Sequence, residues 1–218
     1  MSDLDDIILD YRFVEIESEL YAVEEHRRAL EAQLPAIVES EGSRIREELQ
    51  HEYGPDEGEL RFQEEAWVDE FLDRELPRLM RYPILVSLWA VYESATLNIA
   101  KELQKKRGQS LGLNDIRGGV LEKTKKYFDH VLAFPLTSDN NEFKWVHMLA
   151  VIRNAIAHGN GRREAVKPDT WRSIELWNQS GIDTDLQYLV FSREFIARMV
   201  EVVTKSLLSL IERTKNEI

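Results

Sequence analysis

The chain has 218 residues, 43% of them hydrophobic and 31% charged, enough apolar material for one large domain, or a domain with an extension, around a real core. Its net charge of −12 repels nucleic acid and anionic membranes unless the basic residues are gathered in one place. The absence of cysteine removes disulfides, thiolate nucleophiles, iron–sulfur clusters and thiolate zinc sites, and leads us to expect a cytoplasmic protein. The longest nearly uninterrupted apolar run, Tyr82 to Tyr92, is too short to span a membrane, and an N-terminus carrying Asp3, Asp5 and Asp6 is the charge opposite of a targeting peptide.

The charges are segregated. Residues 1–80 hold 24 acidic and 8 basic residues, net −16, whereas residues 81–218 hold 16 and 20, net +4, with all ten lysines. This predicts an acidic extension over 1–80 and a mildly basic body over 81–218 that can hold an anionic ligand.

In chain order, Leu9, Phe13, Ile16, Leu20, Val23, Arg27, Leu30, Leu34 and Ile37 recur at spacings of three and four, the seam of a helical hairpin or coiled-coil-like arm. Pro35 is expected to kink or restart this helix, and Gly54-Pro55 to break it. Phe62, Ala66, Trp67, Phe71, Leu72 and Leu76 mark another helix, which Pro77 and Pro83 should end or bend. Helices are then expected over 84–103, 115–133 and 141–158, the last stopped by Gly159-Asn160-Gly161. Trp171 to Trp177 and Asp185 to Phe191 read as two short strands around Asn178-Gln179-Ser180-Gly181. Trp171 and Trp177 are expected in the core rather than stacked on bases. A final helix, N-capped by Ser192, should carry Phe195, Met199, Val202, Val203 and Leu207. The sum is an all-α helical bundle with one small hairpin before the last helix.

Most chemistries lack their residues. There is no glycine-rich phosphate loop, and His26, His51, His130, His147 and His158 never pair as HxxxH or HExxH, so neither a cofactor nor a metal is expected. His130 and His147 read as surface or core-edge residues. One segment stands out. The helix from Trp145 to His158 is apolar around most of its circumference, so it belongs in the bundle or at a subunit interface, yet it carries Arg153 and Asn154 side by side. A buried guanidinium must meet a carboxylate, a carbonyl, water or a bound anion. Asn154 and His158 share a helical face, while Arg153 and His158 diverge by about 140° at 100° per residue. One helix therefore aims both at one phosphate only if His158 bends back or two copies cooperate. The same spacing in Arg46…His51 serves as an internal control, since it lies among Glu47, Glu48 and Glu52 with no apolar helix before it.

Arg153-Asn154-Ala155-Ile156-Ala157-His158 resembles the signature of the HEPN domains, all-helical proteins in which an arginine, usually followed by a polar residue, precedes a histidine by four to six positions. The resemblance covers roughly residues 80–215 and includes an apolar helix, Leu85 to Glu93, that looks like a core HEPN helix contributing an acidic residue. It implies a HEPN-like helical bundle and a metal-independent endoribonuclease acting as a homodimer, with two motifs meeting across the interface. It further implies a toxin–antitoxin or phage-defence setting, with an antitoxin or other protein partner. Residues 1–80 and the hairpin lie outside the compact version of that fold.

The chemistry suits these residues. Metal-free RNA cleavage requires the ribose 2′-hydroxyl deprotonated, the leaving 5′-oxygen protonated and the charge on phosphorus stabilised. Histidine can serve either proton transfer and arginine the stabilisation, and two copies of His158 would supply both acid and base. Arg153, His158 and Asn154 are thus the candidate catalytic residues, Glu93 a supporting one, and Arg162, Arg163, Lys123 and Lys126 candidates for holding RNA. Lys105, Lys106, Arg107 and Lys125 could also contact the RNA backbone, or simply form solvated helix faces. In the bland alternative Arg153 is a buried partner of Glu93 and His158 merely ends the helix. In a second alternative the chain is a non-catalytic scaffold whose acidic arm binds a partner. In a third the arm imitates nucleic acid and silences the body.

Overall fold

The computed structural model describes residues 3–53, 58–177, 181–184 and 187–217. The Gly54-Pro55 break, the Asn178-Gln179-Ser180 turn, Asp185 and the side chain of Leu9 lie outside what is described. The protein is all-α, with one small hairpin before the last helix, as the sequence predicts.

Helix α1 (Asp3–Tyr53) is continuous over 51 residues and is not restarted at Pro35. Pro35 is exposed, so its ring meets no neighbouring element, and the chief loss is the amide that would have bonded to the Glu31 carbonyl. The first half of α1 buries Phe13, Ile16, Leu20 and Val23 in the main core, and Arg27 within that stripe is neutralised by a fork to Glu24 at 2.7 and 2.8 Å. The second half packs on α2 (Gly58–Glu70) around a small separate core of Leu49, Val68 and Leu72. The stripe read as the seam of a helical hairpin thus lies on one unbroken helix, and α1 packs instead on α2, beyond residue 57.

From α2 the chain passes through a π-helical turn, Phe71–Glu75, into α3 (Leu76–Lys106). Neither Pro77 nor Pro83 ends this helix. Pro77 follows directly on the π-helical turn, so its missing N–H falls where the helical ladder already changes register, and Pro83 is exposed. The division at residue 80 falls inside α3. This helix is the centre of the molecule: it buries Leu85, Leu88, Tyr92, Ile99 and Leu103 against α1, α5 (Asn140–Gly159) and α7 (Arg193–Glu217). Between α3 and α5 lies α4 (Val120–Lys126), which runs on as a π-helical turn, Tyr127–Val131. Gly118 and Gly119 delay its start, so it is shorter than the sequence pattern predicts.

Residues 171–177 correct the sequence reading. They belong to helix α6 (Pro168–Trp177), not to a strand. Pro168 presets the first turn, Trp171 and Ile174 are buried three residues apart on one face, and the Trp171 indole donates to Glu175 at 2.7 Å, one turn on. The hairpin pairs β1 (Ile182–Asp183) with β2 (Val190–Phe191) in antiparallel register. Phe191 stacks on Phe195 at 5.3 Å, while Trp145 meets Trp177 edge-on at 4.7 Å. These rings join α5, α6, the hairpin and α7. Ser192 caps α7 as expected, its hydroxyl accepting from the Phe195 amide at 3.2 Å.

The Glu31 carboxylate, nearly inaccessible on α1, receives Arg81 from α3 through two bonds of 2.8 and 2.9 Å. Glu31→Ala strands that guanidinium and is expected to cost roughly 3 kcal/mol. Pro35→Ala restores a helix-interior amide at an exposed position and is expected to gain about 1–3 kcal/mol. Equilibrium urea denaturation reads both; equal stabilities for the two variants would contradict this account of α1.

Candidate functional site

Helix α5 carries the candidate motif, and both of its ends are closed by short-range bonds. At the start, the Asp139 carboxylate accepts the Glu142 amide at 2.8 Å and the Glu142 carboxylate accepts the Ser138 amide at 3.0 Å, a reciprocal cap. At the end, Asn160 adopts a left-handed conformation (φ 49°), and the amides of Asn160 and Gly161 close the last turn on the carbonyls of Ile156 and Ala155 at 2.8 and 3.0 Å. One face buries Trp145, Val146, Leu149, Ile152 and Ala155 in the core. The opposite face stays open: His147, Asn154, Ala157 and His158 are exposed and Phe143, Ala150 and Val151 are half-buried. At 100° per residue, His147, Val151, Asn154 and His158 fall in a stripe about 60° wide.

Arg153 points away from that stripe, about 100° from its nearer edge at Asn154. Its guanidinium donates to the Asn154 side-chain oxygen at 3.0 Å, and its Nε is buried with no hydrogen-bond partner. Glu93 does not pair with it. The Glu93 carboxylate instead accepts the Trp89 indole N–H at 2.7 Å, and among the described residues no ion pair joins it to Arg153. Among the described residues Arg153 thus has no carboxylate partner. His158 is exposed and makes no hydrogen bond with the described residues. The control pair behaves differently: Arg46 is held by Asp69 at 2.6 Å.

The candidate residues fall into two groups. Arg153 and Asn154 help to line a groove of about 600 Å³ between α4 and α5, which Lys125 and Lys126 line as well. Lys126 is paired with Glu122 at 2.6 Å and holds that carboxyl below its usual range, and Lys125 is paired with Asp129. Lys123 is half-buried on the same helix and does not line the groove. His158, Arg162 and Arg163 instead gather at the C-terminal turn of α5. Arg162 and Arg163 are more than half exposed, with Glu164 and Glu175 only at 4.0 and 3.9 Å. Among the described residues no cluster of three or more His, Asp or Glu side chains is placed to hold a metal ion, and no helix is long and apolar enough to cross a membrane.

What holds the turn after His158 was not legible in the motif. Arg78, the largest fully buried side chain, donates to the Asn160 carbonyl at 2.9 Å and lies 4.3 Å from the centre of the Tyr188 ring, with Glu75 at 3.9 Å. Tyr82 donates its hydroxyl to the Leu189 carbonyl at 2.6 Å, and burial pushes its pKa up, so it remains a donor at neutral pH. The hairpin strand bonds to the same turn: the Leu189 amide donates to Gly161 at 2.9 Å and the Arg163 amide to Gln187 at 2.7 Å. The hairpin therefore braces the segment that carries His158, Arg162 and Arg163. The sequence signal for this was weak, an arginine and a tyrosine four apart near two prolines.

No protein-family model matches the chain, and neither a curated protein nor a solved structure matches it significantly.

Gly161 is the tightest point of this brace. Its φ is +66°, and a Cβ there would lie 2.1 Å from the Tyr82 hydroxyl. Gly161→Ala is expected to cost at least about 2 kcal/mol in urea denaturation. A loss within about 0.5 kcal/mol, the range of a neutral surface change, would contradict the packing described.

Proposed function

We propose that the chain is a metal-independent endoribonuclease of HEPN type, with an active site composed across a homodimer, acting in toxin–antitoxin or phage defence. The observation that carries this reading is the state of the motif on α5: Arg153 has no carboxylate partner among the described residues, and Asn154 and His158 stand exposed on the open face. A structural arginine inside a bundle is normally neutralised by an acid, as Arg81 is by Glu31. Arg153 is instead steadied by an asparagine, which leaves its charge available to an anion.

The same geometry supports the need for a second copy. Arg153 and His158 diverge around α5, and one chain offers a single His158 for two proton transfers. A second copy related by a twofold axis would bring the other His158 to the site. In that arrangement one His158 removes the 2′-hydroxyl proton, the other protonates the leaving 5′-oxygen, and Arg153 stabilises the charge developing on phosphorus. Arg162 and Arg163 hold the flanking backbone. DNA, lacking the 2′-hydroxyl, is not a substrate by this route.

A second reading draws on a separate observation. Phe62 and Trp67 are 72% and 59% exposed on α2, within the strongly acidic first 80 residues. They favour a partner protein on the arm, either an antitoxin for the enzyme or the ligand of a non-catalytic scaffold.

Incubation with mixed single-stranded and structured RNA in EDTA separates these readings. The wild type is expected to leave 2′,3′-cyclic phosphate ends. His158→Ala and Arg153→Ala should lose at least about a hundredfold in rate while folding normally, and His51→Ala should match the wild type. Loss of activity in His51→Ala would move the site to Arg46…His51, and absence of cleavage throughout would leave the scaffold reading.

A further inference from the structure

The groove between α4 and α5 contains more than the motif requires. Besides Arg153 and Asn154 it is lined by both His130 and His147, one on each wall, and by an apolar surface that includes Val120, Phe143 and Val151. His147 and His130 are exposed, and Val120 keeps 42% of its surface. Neither histidine forms a hydrogen bond with the described residues.

We infer that this groove is a recognition site for one ribonucleotide of the substrate strand, with the phosphate on Arg153 and the base between His130 and His147. The identity of the ligand rests on the ribonuclease reading; the site itself rests on the charge pattern, the shape and the donors. Lys125 and Lys126 are each cancelled by a carboxylate of their own helix, Asp129 and Glu122, while Arg153 is not. Among the described residues the groove thus presents one uncompensated cation, which matches one phosphate rather than a run of backbone. Its volume of about 600 Å³ suits a single nucleotide, and its apolar walls suit the faces of a base. The Asn154 oxygen is occupied by Arg153, which turns the carboxamide NH₂ outward as a donor. Together with two imidazoles, which can each donate and accept, it can read the edge of the base. His158 does not line the groove, so recognition and proton transfer are carried by different histidines of α5.

The test is a titration of the full chain with the four ribonucleoside 5′-monophosphates and, separately, with inorganic phosphate, following the imidazole NMR resonances. At least one nucleotide should shift His130 and His147 saturably and at lower concentration than phosphate, leaving His26 and His51 unmoved. His147→Ala, a surface change, should weaken that binding about three- to tenfold, and His158→Ala should not alter it. Equal effects of phosphate and nucleotides, or shifts confined to His158, would overturn the proposal. Cleavage of RNA by the same samples keeps the two readings apart. RNA cleaved with an unresponsive groove removes this site and leaves the ribonuclease. Nucleotide bound without cleavage leaves the site and removes the ribonuclease.

Discussion

Two arginines at the start of α3, one turn apart and shielded from water, organise the rest of the molecule. Arg81 fastens α1 through Glu31 and also donates to the Phe191 carbonyl of β2 at 3.1 Å. Arg78 fastens the turn after α5 through the Asn160 carbonyl. A buried guanidinium is costly unless its donors are met, and here the acceptors come from elements far apart in sequence. The cost of leaving either cation unpaired therefore enforces one mutual arrangement of arm, hairpin and α5. The hairpin, too short for independent stability, persists because Tyr82, Gly161 and Arg163 bond to it from outside.

That arrangement leaves α5 with two unlike faces. The inner face is core, and the rest of the helix carries an arginine with no acid among the described residues, an asparagine and histidines, beside half-buried apolar residues. Arg153 contrasts with arginines held by acids of their own helix, as Arg44 is by Glu41 and Glu48.

Much of this was legible in the sequence, for physical reasons that differ between elements. The periodic stripes of α1, α5 and α7 follow directly from the 3.6-residue repeat, and Ser192 and Gly159-Asn160-Gly161 mark ends by local chemistry that needs no tertiary context. Pro35 and Pro83 misled because a long helix held by tertiary packing can bear the cost of one lost amide at an exposed position, and Pro77 because a π-helical turn precedes it. Residues 171–177 misled because tryptophan and isoleucine favour strands, whereas the buried spacing of Trp171 and Ile174 is helical. For the site, the sequence singled out Arg153, Asn154 and His158 but could not show that Glu93 would bond to Trp89. Nor could it place His130 and His147 on one groove, since that depends on how α4 meets α5.

The central claim is that catalysis requires two copies of His158 in one site. The most direct measurement mixes wild-type chains with increasing proportions of His158→Ala chains, allows exchange, and follows RNA cleavage at constant total protein. A composite site predicts a rate that falls with the square of the wild-type fraction, because only dimers with two intact copies are active. A rate simply proportional to that fraction would place a complete site in each chain and contradict the claim.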